Sequence, residues 1–302
     1  MSEKILNQTI CLKQYISERE YKEINQLEVL CSLKDKTNLK LELDYKVSRA
    51  KDAYIGLKEI NEYLYYVEDI LVAYLGISSF GGNNGEINGM THPDFRRKGL
   101  FTKLFKLVTE ECQKRNFNNI FLLSDGKSTS GTFFIKAVCG KYDFSEYRMR
   151  LLNKTFLENI NSITLRKAEK ADKREIAKQN AMFFYGSEEG ESFPEEEEII
   201  NMTTYMIELN KAIIGKIRIE YSDNSAFICG FGILPNFRGK GYGKQALKEV
   251  LRIINEENIN DVGLDVESKN NTALNLYKVC GFEEMSVMNY YRFNRGNELG
   301  VR

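Results

Sequence analysis

Ile233-Leu234-Pro235-Asn236-Phe237-Arg238-Gly239-Lys240-Gly241-Tyr242-Gly243-Lys244 is the stretch that decides how the rest of the chain is read. A strand-like apolar run, Ala226 to Leu234, leads into it. An amphipathic helix leads out, with Ala246, Leu247, Val250, Leu251 and Ile254 on one face at helical spacing. Gly239, Gly241 and Gly243 let the backbone turn tightly and approach a ligand where a Cβ would clash. The first N–H groups of the helix then face forward at its positive end, which suits an anion such as a pyrophosphate. Arg238, Lys240 and Lys244 add formal positive charge at the same place.

Several glycine loops can be tested on these residues. A Walker A loop needs Gly-x-x-x-x-Gly-Lys-Ser/Thr, and the Gly126-Lys127-Ser128 run has Phe121 where its first glycine belongs. A dinucleotide fingerprint started at Gly239 meets Lys244 at its last position. Started at Gly241 it ends on Ala246, which the looser form permits. The pattern Arg-x-x-Gly-x-Gly on Arg238, Gly241 and Gly243 also fits, as does a plain glycine-rich turn between strand and helix.

The 302 residues suffice for two ordinary domains with their own cores, and the apolar fraction of 42% and charged fraction of 28% are those of a globular protein. Lys plus Arg equals Asp plus Glu, so no global field favours nucleic acid or an anionic membrane. No apolar run approaches the ~20 residues of a membrane helix, and Met1-Ser2-Glu3-Lys4 lacks the apolar core of a secretory signal. Cys11, Cys31, Cys112, Cys139, Cys229 and Cys280 form no Cys-x-x-Cys pair and are expected as buried free thiols in a reducing cytoplasm. The single histidine, His92, is expected on the surface or in a loop, and it excludes a multi-histidine zinc site; no metal is expected.

An internal repeat organises the chain. Pro93-Asp94-Phe95-Arg96-Arg97-Lys98-Gly99 recurs as Pro235-Asn236-Phe237-Arg238-Gly239-Lys240-Gly241 at an offset of 142, and Val138-Cys139-Gly140 recurs as Val279-Cys280-Gly281 at 141. Two separated matches at nearly one offset imply two copies of one domain, 1–155 and 160–302, with the boundary in the polar segment Asn153 to Ser162. The first copy opens with a charged, mainly helical region from about Leu12 to Ala50. Tyr63–Val67 and Ile70–Ile77 then form a hairpin turning at Glu68-Asp69, and Glu86–Met90 enters the loop. Leu100–Glu111 reads as a helix, Asn119–Ser124 as a strand, Gly131–Cys139 as a helix and Tyr142–Leu152 as the last strand. The second copy repeats the order through Ile163–Arg166, Ala171–Phe184, a short acidic helix Glu195–Asn201, strands Thr203–Leu209, Ala212–Tyr221 and Ala226–Leu234, strand Val262–Val266, helix Asn271–Cys280 and strand Phe282–Phe293.

That order, together with Arg238-Gly239-Lys240-Gly241-Tyr242-Gly243 and Asn270-x-x-Ala273-x-x-Leu276-Tyr277-x-x-x-Gly281-Phe282, resembles the GNAT superfamily of N-acetyltransferases. The resemblance covers nearly the whole chain outside Leu12–Ala50. It implies an α/β fold of α+β type: two tandem domains, each a mostly antiparallel mixed sheet flanked by helices. It also implies acetyl-CoA as acyl donor and an amine as acceptor, with small amine, antibiotic, amino acid and protein N-terminus all open. The backbone at Ile233 is then expected to hydrogen-bond the thioester arm. The amides of Gly239, Lys240, Gly241, Tyr242, Gly243 and Lys244, flanked by Arg238, would hold the pyrophosphate. Asn270 would contact the coenzyme arm, and Tyr277 would protonate the leaving thiolate.

Acyl transfer to an amine needs a neutral nucleophile, so a base or a water chain must take its proton. Asp265, twelve residues before Tyr277, stands where the glutamate of ribosomal-protein alanine acetyltransferases stands, and is the candidate base, with Glu220 and Glu267 as rivals through water and a purely structural carboxylate as the other reading. The acids Glu188, Glu189, Glu191 and Glu195–Glu198 fit either a solvated loop or a surface that attracts a cationic amine. The first copy has Phe101 at the position of Gly243 and Lys136 at that of Tyr277, which marks it as the degenerate copy and assigns the chemistry to the second. A non-catalytic acyl-CoA-binding or regulatory module is the competing expectation.

Overall fold

The computed structural model describes residues 7–48, 59–79, 83–153, 162–184, 201–222 and 224–294. The chain forms two compact units, Met1–Ser145 with Ser286–Arg302, and Glu146–Met285. Unit 1 contains β1 (Gln8–Lys13), α1 (Glu18–Asp35), α2 (Leu43–Ser48), β2 (Glu62–Val67), β3 (Ile70–Ser78), β4 (Asn84–Thr91), α3 (Leu100–Lys114), β5 (Asn119–Asp125), α4 (Thr129–Ala137) and the start of β6 (Lys141–Leu151). Unit 2 contains the rest of β6, then β7 (Thr164–Lys167), α5 (Lys173–Phe184), β8 (Met202–Leu209), β9 (Ala212–Ser222), β10 (Ser225–Ile233), α6 (Tyr242–Glu256), β11 (Asp261–Glu267), α7 (Asn271–Val279) and the start of β12 (Phe282–Arg292).

The strands of each unit follow one plan. In unit 1, β1 to β4 are antiparallel neighbours, β5 joins β4 in parallel, and Met288–Arg292 of β12 pair antiparallel with β5. In unit 2, β7 to β10 are antiparallel neighbours, β11 joins β10 in parallel, and Glu146–Arg150 of β6 pair antiparallel with β11. The two final strands are therefore exchanged between the repeats. The repeat places the boundary at Asn153–Ser162, whereas the compact units divide at Ser145 and again at Met285, because each final strand crosses over part-way along its length. In unit 1 the incoming strand is anchored by Tyr290, which stacks on Phe144 with ring centroids 4.4 Å apart, and by Asn289, whose side chain accepts from Ser145 Oγ at 2.7 Å.

Local chemistry explains the elements. Glu68-Asp69 and Asn210-Lys211 all have positive φ, between 48° and 68°, as two-residue type I′ hairpin turns require. Helix α1 starts on a capping box in which Ser17 and Glu20 each bond the other's backbone N–H. Helices α1 and α2 lie in the region expected to be mainly helical, but its first residues, Leu12 and Lys13, belong to the strand β1, which pairs along β2. In unit 2, Ala246, Leu247, Val250, Leu251 and Ile254 of α6 are buried against Ile217, Ile219, Ile228, Val262, Leu264 and Val266 of the sheet. Each of the Leu, Val and Ile side chains contributes about 1.5–3 kcal/mol by leaving water, which fixes the helix and so the loop before it. Of the six cysteines, all free, Cys31, Cys112 and Cys280 are buried, Cys11 and Cys229 are half-buried, and Cys139 is exposed at a left-handed position after α4. No described helix is long and apolar enough to cross a membrane. The acidic run from Glu188 to Glu198 lies outside the described residues.

Candidate active site

Strands β10 and β11 pair only from Ser225 with Asp261 to Ile228 with Leu264, then diverge. Beside the divergence β10 is bulged: Cys229 pairs with Arg218 and Gly232 with Lys216, so Gly230 and Phe231 together face Ile217. The extra residue inverts the alternation that precedes it. Ala226 and Ile228 point into the core before the bulge, and Phe231 and Ile233 pack there after it. The Leu234 N–H donates to the Ile214 carbonyl at 2.8 Å, so alternation along the strand turns the Phe231 and Ile233 amides the other way, into the opening between β10 and β11. Gly230-Phe231-Gly232 inside an apolar strand was the available sequence signal for this bulge.

The glycine loop closes one end of that opening. Gly239 and Gly241 have φ of 74° and 82°, and an added Cβ at either meets nothing within 4 Å. Among the described residues, the Gln245 N–H bonds back to the Gly241 carbonyl, while no N–H from Gly239 through Lys244 donates to a protein acceptor. Six amides thus stay available at the positive end of α6. The basic side chains are used differently from the sequence expectation. Arg238 Nε donates to the Ile233 carbonyl at 2.7 Å, and Lys240 Nζ to the Asn236 carbonyl at 3.1 Å. They fold the loop, and the Ile233 carbonyl is occupied, which leaves its amide as the group turned into the opening.

The remaining candidates stand around the opening. An ideal Cβ on Gly243 would lie 3.6–3.8 Å from Leu276, Ile233 and Phe231, so α7 passes directly beside the loop. Tyr277, next to Leu276, is buried and meets Phe282 edge to face, and burial pushes its phenol up to about 12, with Cys280 as a smaller cause. Asn270 is the N-cap of α7, its Oδ1 accepting from the Ala273 N–H at 3.1 Å. Asp265 alternates with the core residues Leu264 and Val266, which puts its side chain on the opposite face of the sheet from Tyr277. There Arg148 grips its carboxylate with both Nε and Nη2, at 2.5 and 3.0 Å.

The profile of the acetyltransferase (GNAT) family matches residues 27–130 and 173–282, one copy in each half of the chain. The chain belongs to the GNAT family of acetyltransferases. It is 37% identical over 89 residues to an uncharacterized N-acetyltransferase, YycN, of Bacillus subtilis (strain 168), an alignment that takes in 28% of this chain and 57% of that relative's length. Among solved structures it is similar to a GCN5-related N-acetyltransferase from Sphaerobacter thermophilus, with TM-score 0.72 and 17% identity over 94% of this chain and 95% of the other. A tandem GNAT protein from the clavulanic acid biosynthesis pathway gives TM-score 0.69 at 11% identity, over 97% of this chain and all of the other. These likenesses establish the tandem GNAT fold.

The two GNAT repeats differ where ligands would sit. In unit 1 the loop keeps its shape, with φ of 62° at Arg97 and 76° at Gly99, and Arg96 Nε reaches back to the Thr91 carbonyl as Arg238 does to Ile233. Strand β4, however, pairs with β3 without a bulge. Phe101 fills the place of Gly243 and packs edge to face on Phe134, 4.7 Å between centroids. Lys136 is exposed. His92 is half-buried in the loop region and accepts the Asp94 N–H at its Nδ1. A cavity of about 890 Å³ nevertheless lies in unit 1 between β4, β5, α3 and α4, with Asn88, Met90, Phe101, Phe105 and Ser124 in its wall.

Proposed function

We propose that unit 2 is an acetyl-CoA-dependent N-acetyltransferase centre, moving an acetyl group to an amine by direct attack. One observation carries the reading: six unengaged amides from Gly239 through Lys244 flank an opening between diverging strands, with nothing at Gly243 to fill it. These amides suit the coenzyme pyrophosphate. The Phe231 and Ile233 amides suit the thioester arm and carbonyl. Acetyl-CoA here is the acyl donor, and the acceptor is an amine of a small molecule or a protein N-terminus. A cytoplasmic location, without membrane or nucleic acid, accords with the balanced charge of the chain.

The chemistry follows from the groups at hand. A phenol at about 12 remains protonated at neutral pH, whereas a free thiol titrates near 8.5. Complete proton transfer from Tyr277 to the departing thiolate is uphill by roughly 3.5 pKa units. Tyr277 therefore acts as a hydrogen-bond donor to the developing thiolate, with the thiolate protonated afterwards from solvent. Proton removal from the amine is assigned to water rather than to Asp265, whose carboxylate is held by Arg148 on the other face. Release of free coenzyme from acetyl-CoA over an amine panel tests the reading. Coenzyme binding by calorimetry without turnover on any amine would replace it with the non-catalytic acyl-CoA-binding module.

The unit 1 cavity favours a second reading, in which that repeat also holds a coenzyme. Calorimetry distinguishes the two by stoichiometry, with one site per chain expected and two sites supporting the second reading.

A further inference from the structure

Register identifies the residue that makes the bulge. In unit 1, Gly76, Leu75 and Tyr74 pair in turn with Asn88, Gly89 and Met90. In unit 2, Arg218 pairs with Cys229 and Lys216 with Gly232. Lys216 thus takes the place of Tyr74, and Gly230 is an insertion without counterpart. Its φ of 55° is the left-handed conformation a bulge residue adopts most easily as glycine. Lys216 Nζ donates to the Gly230 carbonyl at 3.0 Å.

That lysine is fully buried, 0% exposed, and its Nζ lies 5.5 Å from the centroid of the Phe184 ring. A buried ammonium is expensive to keep unless it is hydrogen-bonded, and this one donates to the Gly230 carbonyl. At that carbonyl the charge acts by polarisation. A cation on the Gly230 oxygen draws electron density from the Gly230–Phe231 peptide and strengthens the Phe231 N–H as a donor. That N–H is one of the two turned into the opening beside the glycine loop.

We propose that Lys216 is a positioning residue for acyl transfer, fixing the bulge and polarising the Gly230–Phe231 peptide so that the Phe231 N–H takes the charge developing on the thioester oxygen. The inference rests on unit 2 being the acyl-transfer centre. It assigns Lys216 no contact with either substrate.

The test compares Lys216→Met and Lys216→Gln with wild type in the full chain. For Lys216→Met, free coenzyme A should bind within two-fold of wild type by calorimetry, while kcat with the best amine of the panel falls roughly 100-fold and KM for acetyl-CoA changes less than three-fold. Lys216→Gln restores a neutral donor and should lie between. In amide correlation spectra the Phe231 proton should move upfield in Lys216→Met while those of Gly239–Lys244 stay. An unchanged kcat in Lys216→Met, an unmoved Phe231 amide, or equal losses of kcat and coenzyme binding would overturn the proposal. If Lys216→Met does not fold, Lys216→Gln decides: wild-type kcat refutes a role for the charge, and lowered kcat with intact coenzyme binding supports it. If wild type turns over no amine, the assignment of unit 2 fails, and the Phe231 amide shift still decides whether Lys216 controls the bulge.

Discussion

Gly243→Ala should raise stability and lower coenzyme affinity together, two effects that a merely structural glycine would not separate. Gly243 lies in the first turn of α6 with φ outside the left-handed region, so a side chain costs no backbone strain. The new methyl would meet Leu276 Cδ2 at 3.6 Å, Ile233 Cγ1 at 3.7 Å and Phe231 Cζ at 3.8 Å, all ordinary contacts. Alanine gains about 0.5–1 kcal/mol over glycine in a helix, and burying one methyl adds up to ~0.8 kcal/mol. A net gain of about 1 kcal/mol corresponds to a rise in Tm of roughly 2–4 °C for a unit of this size. On the proposed function the same methyl occupies the gap that takes the coenzyme arm, so Kd for coenzyme A should rise at least about ten-fold, equivalent to ~1.4 kcal/mol. Gly243→Phe, which copies unit 1, should abolish binding. Thermal unfolding and calorimetry on one preparation read both effects. A raised Tm with unchanged Kd would place the coenzyme elsewhere, and a lowered Tm would show that the space at Gly243 is not open.

Tyr277→Phe should lower kcat roughly 10–100-fold, the worth of a hydrogen bond to a charged group, with coenzyme Kd unchanged by calorimetry. Because the folded-state pKa of Tyr277 is raised to about 12 from an ordinary 10, its contribution to stability is complete below pH 10 and declines as pH rises toward 12; Tm against pH should show a decline that Tyr277→Phe lessens. Asp265→Asn should leave kcat within about three-fold and cost no more than ~1 kcal/mol in urea denaturation, since the Arg148 pair is partly solvated. In unit 1, Glu62 accepts from Lys46 Nζ at 3.0 Å and from the Tyr74 hydroxyl at 2.5 Å, all three buried. Glu62→Leu strands the Lys46 ammonium and should cost about 3–5 kcal/mol in urea denaturation, with most of it recovered by adding Lys46→Met.

The elements around the glycine loops were legible because periodicity and turn chemistry are local. Glu68-Asp69 marked its hairpin, and the face of α6 from Ala246 to Ile254 is buried as its spacing predicts. Strand partners were not legible. The alternation of Tyr142–Leu152 and of Phe282–Phe293 suits either open sheet edge, and nothing local states which one each strand will join. The β1 strand is not legible in the sequence because Gln8–Lys13 lacks a clear alternation and lies mostly exposed along β2. At the site, the spacing of Arg238, Gly241 and Gly243 marks the loop whose amides, among the described residues, make no bond to a protein acceptor. The direction of the Arg238 and Lys240 side chains depends on carbonyls whose positions only the fold supplies. Asp265 lay on a strand whose alternation could have shown it facing away from Tyr277, but its partner Arg148 belongs to the other repeat's sequence.

The crossing of β6 and β12 means that unit 1 is completed only late in synthesis. Unit 1 borrows Met288–Arg292 for the edge beyond β5, and the ribosome delivers that piece only after every residue of unit 2. While translation continues, β5 is left with an unfilled border, a template for mispairing that a chaperone or the nearby β6 would have to mask. Cutting the gene between its two repeats would leave each half without the segment that pairs with its last parallel strand.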